Sequence, residues 1–417
     1  MKVLLISQSN KKRAKNIIPI GTIYIAQSLY EKGIRYDFLD LNFHTNSIEA
    51  LEKKIKSFSP DLIGISVRNI AETASWNSCY EELKILVQYA KKYTPVALGG
   101  AGFTIFAQQI LEYTGADFGM IGAGEETILN VISCANEKSS ISPKALFDEV
   151  EDNNFDKRCI HKALCKYWSI YGRYHKINNT PIPIQTCRGC LSNCIYCSYP
   201  SINKCGIQER YVENIIFDME KIYKYTGHKL FYFTDSIFNV NIEYKKKILK
   251  ALKNMFKGEI RWQCCINPAE YDEELLILMK ESGCELCEVG IDSFSDAVLY
   301  EMQKDYCKDS AMELLNILER IQLPYSVSFI VGGVGETKHT INETFMTAKK
   351  INPVYAHFFI GMRIYPNTRL ATQYNYKNAE LLFASNKSII VKENLKPIIQ
   401  AYKEHSPLNW YFSGGEV

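Results

Sequence analysis

Four cysteines crowd one short stretch, Thr186-Cys-Arg-Gly-Cys190-Leu-Ser-Asn-Cys194-Ile-Tyr-Cys197. The last three, Cys190, Cys194 and Cys197, are separated by three and then two residues. Thiolates at that spacing on one tight loop can each bind a different iron of a 4Fe-4S cubane. A structural zinc site usually closes its four ligands with a second pair at a distance. The trio leaves one iron without a protein ligand, and a substrate or cofactor can coordinate there. Cys187 has Cys-x2-Cys spacing with Cys190 and is left as a spare thiol near the cluster. Cys284-Glu-Leu-Cys287 also has zinc-like spacing. It lies in a run that looks like a helix end and a strand, so two packed thiols are the better account. Cys264-Cys265 falls on an expected strand, so one thiol faces inward, either towards substrate or into a core.

The elements around the cluster stretch must hold it at a strand end. From about residue 181, apolar segments near 182–186, 229–234, 259–265, 285–291, 325–331 and 355–363 alternate with helical segments such as 211–226, 241–256, 271–282 and 309–321. Six βα units predict a partial barrel, whose chemistry sits at the C-terminal ends of its strands. Polar and glycine-rich motifs fall at those ends. They are Phe233-Thr-Asp235-Ser236, Gly290-Ile-Asp292-Ser293-Phe294, Phe329-Ile-Val331-Gly-Gly333-Val-Gly-Glu336, and Arg363-Ile-Tyr-Pro-Asn-Thr368. Each alone could be plain surface. Their order after the cysteines makes them informative together.

The first 135 residues follow a second, separate alternation. Strands are expected at 2–8, 35–41, 61–67, 95–99 and 118–121, with helices at 21–32, 47–58, 72–92, 103–113 and 125–136. Such alternation with short loops predicts a doubly wound parallel sheet. Ligands bind such sheets at the carboxyl ends of the strands. Pro19-Ile-Gly21, Gly99-Gly100-Ala-Gly102-Phe103 and Gly122-Ala-Gly124-Glu125 fall there. Glycines can merely end strands, but three such loops on one edge favour a bound cofactor.

The chain therefore divides into 1–136, a connector at 137–180, the barrel at 181–372 and a short, mostly helical tail at 373–417. The whole is α/β. Of 417 residues, 47% are hydrophobic and 23% charged, ample for real cores, and the net charge of +3 gives no reason to expect a nucleic-acid partner. No apolar run approaches the roughly eighteen residues of a spanning helix. Lys11, Lys12, Arg13 and Lys15 follow the first apolar stretch rather than precede it, unlike a signal peptide. A cytoplasmic protein is expected. Most of the fourteen cysteines, among them Cys79, Cys134, Cys159, Cys165, Cys205 and Cys307, are expected to be free structural thiols. Trp262, Tyr365, Trp410 and Tyr411 could line an apolar pocket, with core packing the better account.

The Cys-x3-Cys-x2-Cys spacing, with Tyr196 before the last cysteine, resembles the radical S-adenosylmethionine superfamily, and the likeness extends over most of 181–370. It implies that the open iron binds S-adenosyl-L-methionine and that an electron from the cluster cleaves its sulfonium. By the same resemblance Tyr196, Asp235, Ser236, Asp292, Ser293, Val331, Gly333, Glu336 and Arg363 contact S-adenosylmethionine, with Val331 and Gly333 nearest its adenine. Related enzymes commonly have Gly-Ile-Glu-Ser where Asp292 stands, one methylene longer. A flavodoxin-like domain ahead of such a barrel resembles the cobalamin-binding branch. The matching residues are Pro19, Gly21, Ser66, Arg68, Asn69, Gly99, Gly100, Gly102, Phe103, Gly122, Gly124 and Glu125. The Asp-x-His-x-x-Gly motif that ligates cobalt in classical cobalamin domains is missing. Asp40-Leu-Asn-Phe-His44 has the wrong spacing, and His44 reads as a loop histidine. Ser66-Val-Arg68-Asn69 most resembles the thiostrepton-type tryptophan C2-methyltransferases, which implies Arg68 beneath the cobalt as a catalytic residue. Alternatively, Arg68 binds a corrin amide or a nearby carboxylate. The resemblance implies a C-methyltransferase acting on a small molecule, fed by an external electron donor of flavodoxin or ferredoxin type and working as a monomer. The same two cofactors also serve non-methylating rearrangement, cyclisation or ring contraction.

Overall fold

The structure is a computed structural model and describes residues 1–8, 17–68, 80–136, 145–150, 152–203, 206–376 and 389–415. Asn69, Cys79, Cys205 and the start of the helix expected over 72–92 lie outside these.

Two parallel sheets organise the molecule. The first contains β1 (Lys2–Ser7), β2 (Arg35–Asp40), β3 (Leu62–Ser66), β4 (Val96–Gly99), β5 (Phe118–Met120) and β6 (Ala145–Phe147), in the order β2-β1-β3-β4-β5-β6. Its inner strands are apolar throughout, as Leu62-Ile-Gly-Ile65 shows, because helices cover both faces. The order reverses beside β1, so the loops after β1 and β3 border a crevice. Five of these strands were legible. The sixth comes from the connector, where three half-buried residues pair with β5. The single helix expected over 103–113 is two, Ala101–Ile105 and Ala107–Thr114. They are broken at Phe106, whose extended φ of −129° accompanies burial of its ring.

The second sheet contains β7 (Ile182–Ile184), β10 (Leu230–Phe233), β11 (Arg261–Ile266), β12 (Cys284–Asp292), β13 (Tyr325–Val331), β14 (Ala356–Ile360) and β17 (Trp410–Gly414). The order is β17-β14-β13-β12-β11-β10-β7, all parallel. Amphipathic helices coat its outside. In Ile242–Phe256, for example, Ile248, Leu249, Leu252 and Phe256 are buried while most of the lysines face water. The tail contributes the helix Lys396–Glu404 and also β17, which adds a seventh strand to the six expected. Two short antiparallel pairs complete the sheets. They are β8 (Cys187–Arg188) with β9 (Gln208–Glu209), and β15 (Met362–Arg363) with β16 (Ile389–Ile390).

The connector binds the sheets into one body. Tyr167 and Tyr174 of its helices donate to Tyr36 O at 3.0 Å and to Asp40 Oδ2 at 2.6 Å. Arg158, almost fully buried, pairs with Glu31 at 2.7 Å, Asp152 at 2.9 Å and Glu126 at 3.0 Å. Its carbonyl accepts from Arg210 at 2.6 Å, and Arg210 is itself paired with buried Asp218 at 2.6 Å. One apolar core runs from Val3 and Phe38 through Tyr171 to Phe231 and Trp410. Among the described residues no helix is long and apolar enough to cross a membrane.

Candidate active site

The cluster loop leaves β7 through a buried polar clamp. Thr186 N and Cys187 N donate to Asp235 Oδ1 at 2.7 and 3.1 Å, and the Thr186 hydroxyl donates to Oδ2. Lys245 pairs with the same carboxylate at 2.7 Å, and both side chains are fully buried. Asp235 is thus spent on fixing the loop's entrance and lies outside the walls of the neighbouring cavity, whereas Ser236 lines that cavity. Cys187 points to this clamp, 3.5 Å from Lys245 Nζ, and burial pushes its thiol up to about 12. Gly189 turns the loop at φ +100°, where a Cβ would sit 1.7 Å from Gly206 O. Only glycine fits there.

Beyond this turn, Cys190, Cys194 and Cys197 open on a single cavity of about 390 Å³. All three are partly exposed. Burial raises Cys194, and it pushes Cys197 up to about 11, so iron must displace protons there. Three thiols of one loop sharing one cavity wall suit a cubane that presents its fourth iron to that cavity.

Across the cavity, Asp292 ends β12 in a left-handed conformation, φ +61°. Its carboxylate pairs with Lys304 at 2.5 Å and accepts from Tyr196 Oη. Lys304 also donates to Tyr196 Oη at 2.9 Å and is nearly buried. Two sequence-predicted residues, Tyr196 and Asp292, are therefore joined through a lysine that no local motif announces. Deeper in the barrel stand Glu288, Cys265, Tyr355 and His357. Tyr232 Oη lies 3.0 Å from Cys265 Sγ and donates to Glu288 at 3.3 Å. Burial lowers the pKa of His357, whose Nε2 lies 2.7 Å from Ser413 Oγ. Cys265 is the inward member of its pair. Cys264 points the other way, towards buried Cys284 and Cys287, and the three sulfurs lie within 4.8 Å of one another. A register shift between Trp262 and Gln263 brings Cys284 and Cys287 to one face, 3.6 Å apart, although strand periodicity alone would separate them.

The other predicted residues lie around this cavity rather than in its walls. Ser293 is buried, 3.0 Å from the Thr344 hydroxyl. Val331 is buried at the end of β13, and Gly333 closely faces Met362. Glu336 accepts from Gly332 N at 2.8 Å, and burial pushes its carboxyl up to about 7. The Arg363 guanidinium lies 5.5 Å from the Tyr365 ring. Trp262 and Trp410 are core residues, while Tyr411 is exposed.

The first sheet carries a cavity of about 140 Å³ at its loop edge. Gly21, Ser66, Gly99, Gly100, Gly122, Gly124 and Glu125 line it. Gly21 has open space where a Cβ would stand, and Gly100, at φ +99°, approaches Val67 O too closely for any side chain. Pro19 starts the helix Ile20–Glu31, its carbonyl accepting from Thr22 N and Ile23 N. Gly102 and Phe103 are buried behind the cavity, Phe103 against Gly119. Arg68 is exposed just past the end of β3, and Tyr199, itself 43% exposed, stands in the wall of the barrel cavity.

Residues 10–132 match the B12 binding domain, and residues 184–348 match the radical SAM superfamily. The protein is a B12-binding radical SAM enzyme. Its cofactors are a 4Fe-4S cluster, S-adenosylmethionine and cobalamin. This enzyme is 26% identical over 388 residues to an uncharacterized methyltransferase of Pyrococcus horikoshii, spanning 89% of this chain and 82% of that one. It is 20% identical to the tryptophan 2-C-methyltransferase of Streptomyces laurentii, over 85% and 72% of the two chains. Its fold is that of the radical S-adenosylmethionine methyltransferase TsrM from Kitasatospora setae, solved with tryptophan and a SAM analog. The TM-score there is 0.81 at 19% identity, over 97% of this chain and 88% of that one.

Proposed function

We propose that this enzyme is a C-methyltransferase that moves methyl from S-adenosylmethionine through cobalamin to a small molecule. The observation that carries this reading is the pair of cavities in one chain. The glycine loops of the first sheet line one, and the three cluster thiols border the other, of about 390 Å³. That volume suits a small substrate beside S-adenosylmethionine. When bound, the cluster supplies an electron to S-adenosylmethionine and cobalamin carries the methyl group.

The chain's own residues then divide the work. Cys190, Cys194 and Cys197 hold the cluster, and Asp235 with Lys245 fixes their loop. Tyr196, Ser236 and Asp292, with Ser293, Val331, Gly333, Glu336 and Arg363 around them, hold S-adenosylmethionine. Lys304 keeps Asp292 and Tyr196 together. The glycine loops at Gly21, Gly99–Gly102 and Gly122–Glu125, with Pro19, Ser66, Asn69 and Phe103, would hold cobalamin, and Arg68 would supply a cation to that site. Electrons come from an external flavodoxin or ferredoxin, and the working unit is a monomer.

The test is anaerobic reconstitution with iron, sulfide, cobalamin, S-adenosylmethionine and a chemical reductant. S-adenosylhomocysteine should form up to about one equivalent per bound cobalamin even without a methyl acceptor, because each methylation of cobalamin releases one. Turnover of S-adenosylmethionine to 5′-deoxyadenosine alone would instead mark a non-methylating rearrangement or cyclisation.

A further inference from the structure

Among the described residues, the cavity of the first sheet has one wall residue from outside that domain, Arg188 on the cluster loop. Its side chain is 12% exposed. The guanidinium lies between two rings, 4.7 Å from the Tyr24 centroid and 4.2 Å from that of Phe155. Nη2 pairs with Glu125, and Nε donates to Gln185 at 3.0 Å. Nη1 is buried without a hydrogen-bond partner. The same is true of Thr22 Oγ1 on the same cavity's wall. Buried donors nearly always find an acceptor in a working protein. Two orphans on one small cavity therefore point to a ligand that brings acceptors.

The walls between them are apolar, with Leu5, Ile25 and Met120 among them. The space is that of a fused bicyclic ring and far short of a tetrapyrrole. Of the parts of cobalamin, only its nucleotide tail, with a flat base and a phosphoribosyl linker rich in acceptors, matches both volume and polarity. We propose that Arg188 is a cobalamin-binding residue lent by the radical domain, whose Nη1 donates to the nucleotide tail. This rests on the cobalamin reading above. Arg188 stands two residues before Cys190, so one side chain would touch the corrinoid and belong to the cluster loop.

The experiment uses full-length, cluster-loaded, corrinoid-free protein, titrated spectroscopically with cobalamin and with cobinamide, which lacks the nucleotide tail. R188K keeps a cation beside Glu125 but loses the second arm of the guanidinium fork. It should weaken cobalamin binding about tenfold or more, the worth of a charge-assisted hydrogen bond, and leave cobinamide binding unchanged. Equal weakening of both corrinoids, or of neither, overturns the assignment. If R188K does not fold, the wild-type pair decides. Cobalamin must then bind at least about tenfold more tightly than cobinamide, and equal affinities overturn the proposal. If wild-type protein binds neither corrinoid, the cobalamin reading itself fails.

Discussion

Replacing Asp235 with asparagine removes the charge that balances Lys245 while keeping an oxygen for Thr186 N and Cys187 N. Both side chains are fully buried and 2.7 Å apart. Leaving one member of such a pair uncompensated costs about 3–5 kcal/mol. K245M is the gentler change. It leaves a carboxylate that still accepts from Thr186 N, Thr186 Oγ1 and Cys187 N. Asparagine, in contrast, leaves the buried ammonium without a counter-charge, held only by neutral groups such as the Thr186 hydroxyl and the Cys187 thiol. The expected order of stability is wild type, then the double variant D235N/K245M, then K245M, then D235N. The double variant should recover at least about half the loss of D235N, because a neutral pair of similar volume escapes the desolvation of a lone charge. Urea unfolding of the metal-free chain under argon reads these differences, and iron per chain after reconstitution reads the effect on the loop. The reasoning fails if D235N costs less than about 1 kcal/mol, or if the double variant is as unstable as the sum of the singles.

Three further outcomes follow from the same structure. G189A should abolish cluster retention, since its Cβ would fall 1.7 Å from Gly206 O; iron analysis after desalting checks this, and a normal iron content would contradict it. The Glu336 carboxyl, pushed up to about 7 by burial, holds its proton in the folded chain after the unfolded chain has lost it. Stability therefore falls as pH rises from about 4.5 to 7, by an amount on the order of 3 kcal/mol, and E336Q should flatten that slope in melts run across the range. In metal-free protein, iodoacetamide should label Cys190, Cys194 and Cys197 well before the buried Cys264, Cys284 and Cys287. The lag should be on the order of 100-fold or more, because the second set reacts only on opening; peptide mass spectrometry over time would expose any error.

The cysteine trio was legible because its three thiols are close in sequence, where spacing alone encodes geometry. The strand-end motifs were legible for the same reason. Lys245, Lys304, Glu288 and Arg188 were not, since each acquires its meaning from a partner on another strand or in the other sheet. Asp235 was found by its motif, but its orientation towards Thr186 and Lys245 depends on packing that no local pattern carries. Likewise β6 and β17 are short edge strands with weak alternation, and pairing rather than propensity makes them strands. The register shift that gathers Cys264, Cys284 and Cys287 is a property of two strands together, so Cys-x2-Cys could only suggest proximity.

The chain of ions from Glu31 through Arg158 and Arg210 to Asp218 has a consequence for how the molecule came to be assembled. The two regions that match separate families share one apolar interior and are joined by one charge ladder, buried at Arg158, Arg210 and Asp218. A shuffled barrel joined to another first domain would inherit Arg210 and Asp218 without Arg158, and a separated first domain would expose the apolar surface now covered by Tyr167, Tyr171 and Tyr174. The two regions are therefore expected to be stable only together with their connector, and to unfold in one step rather than two.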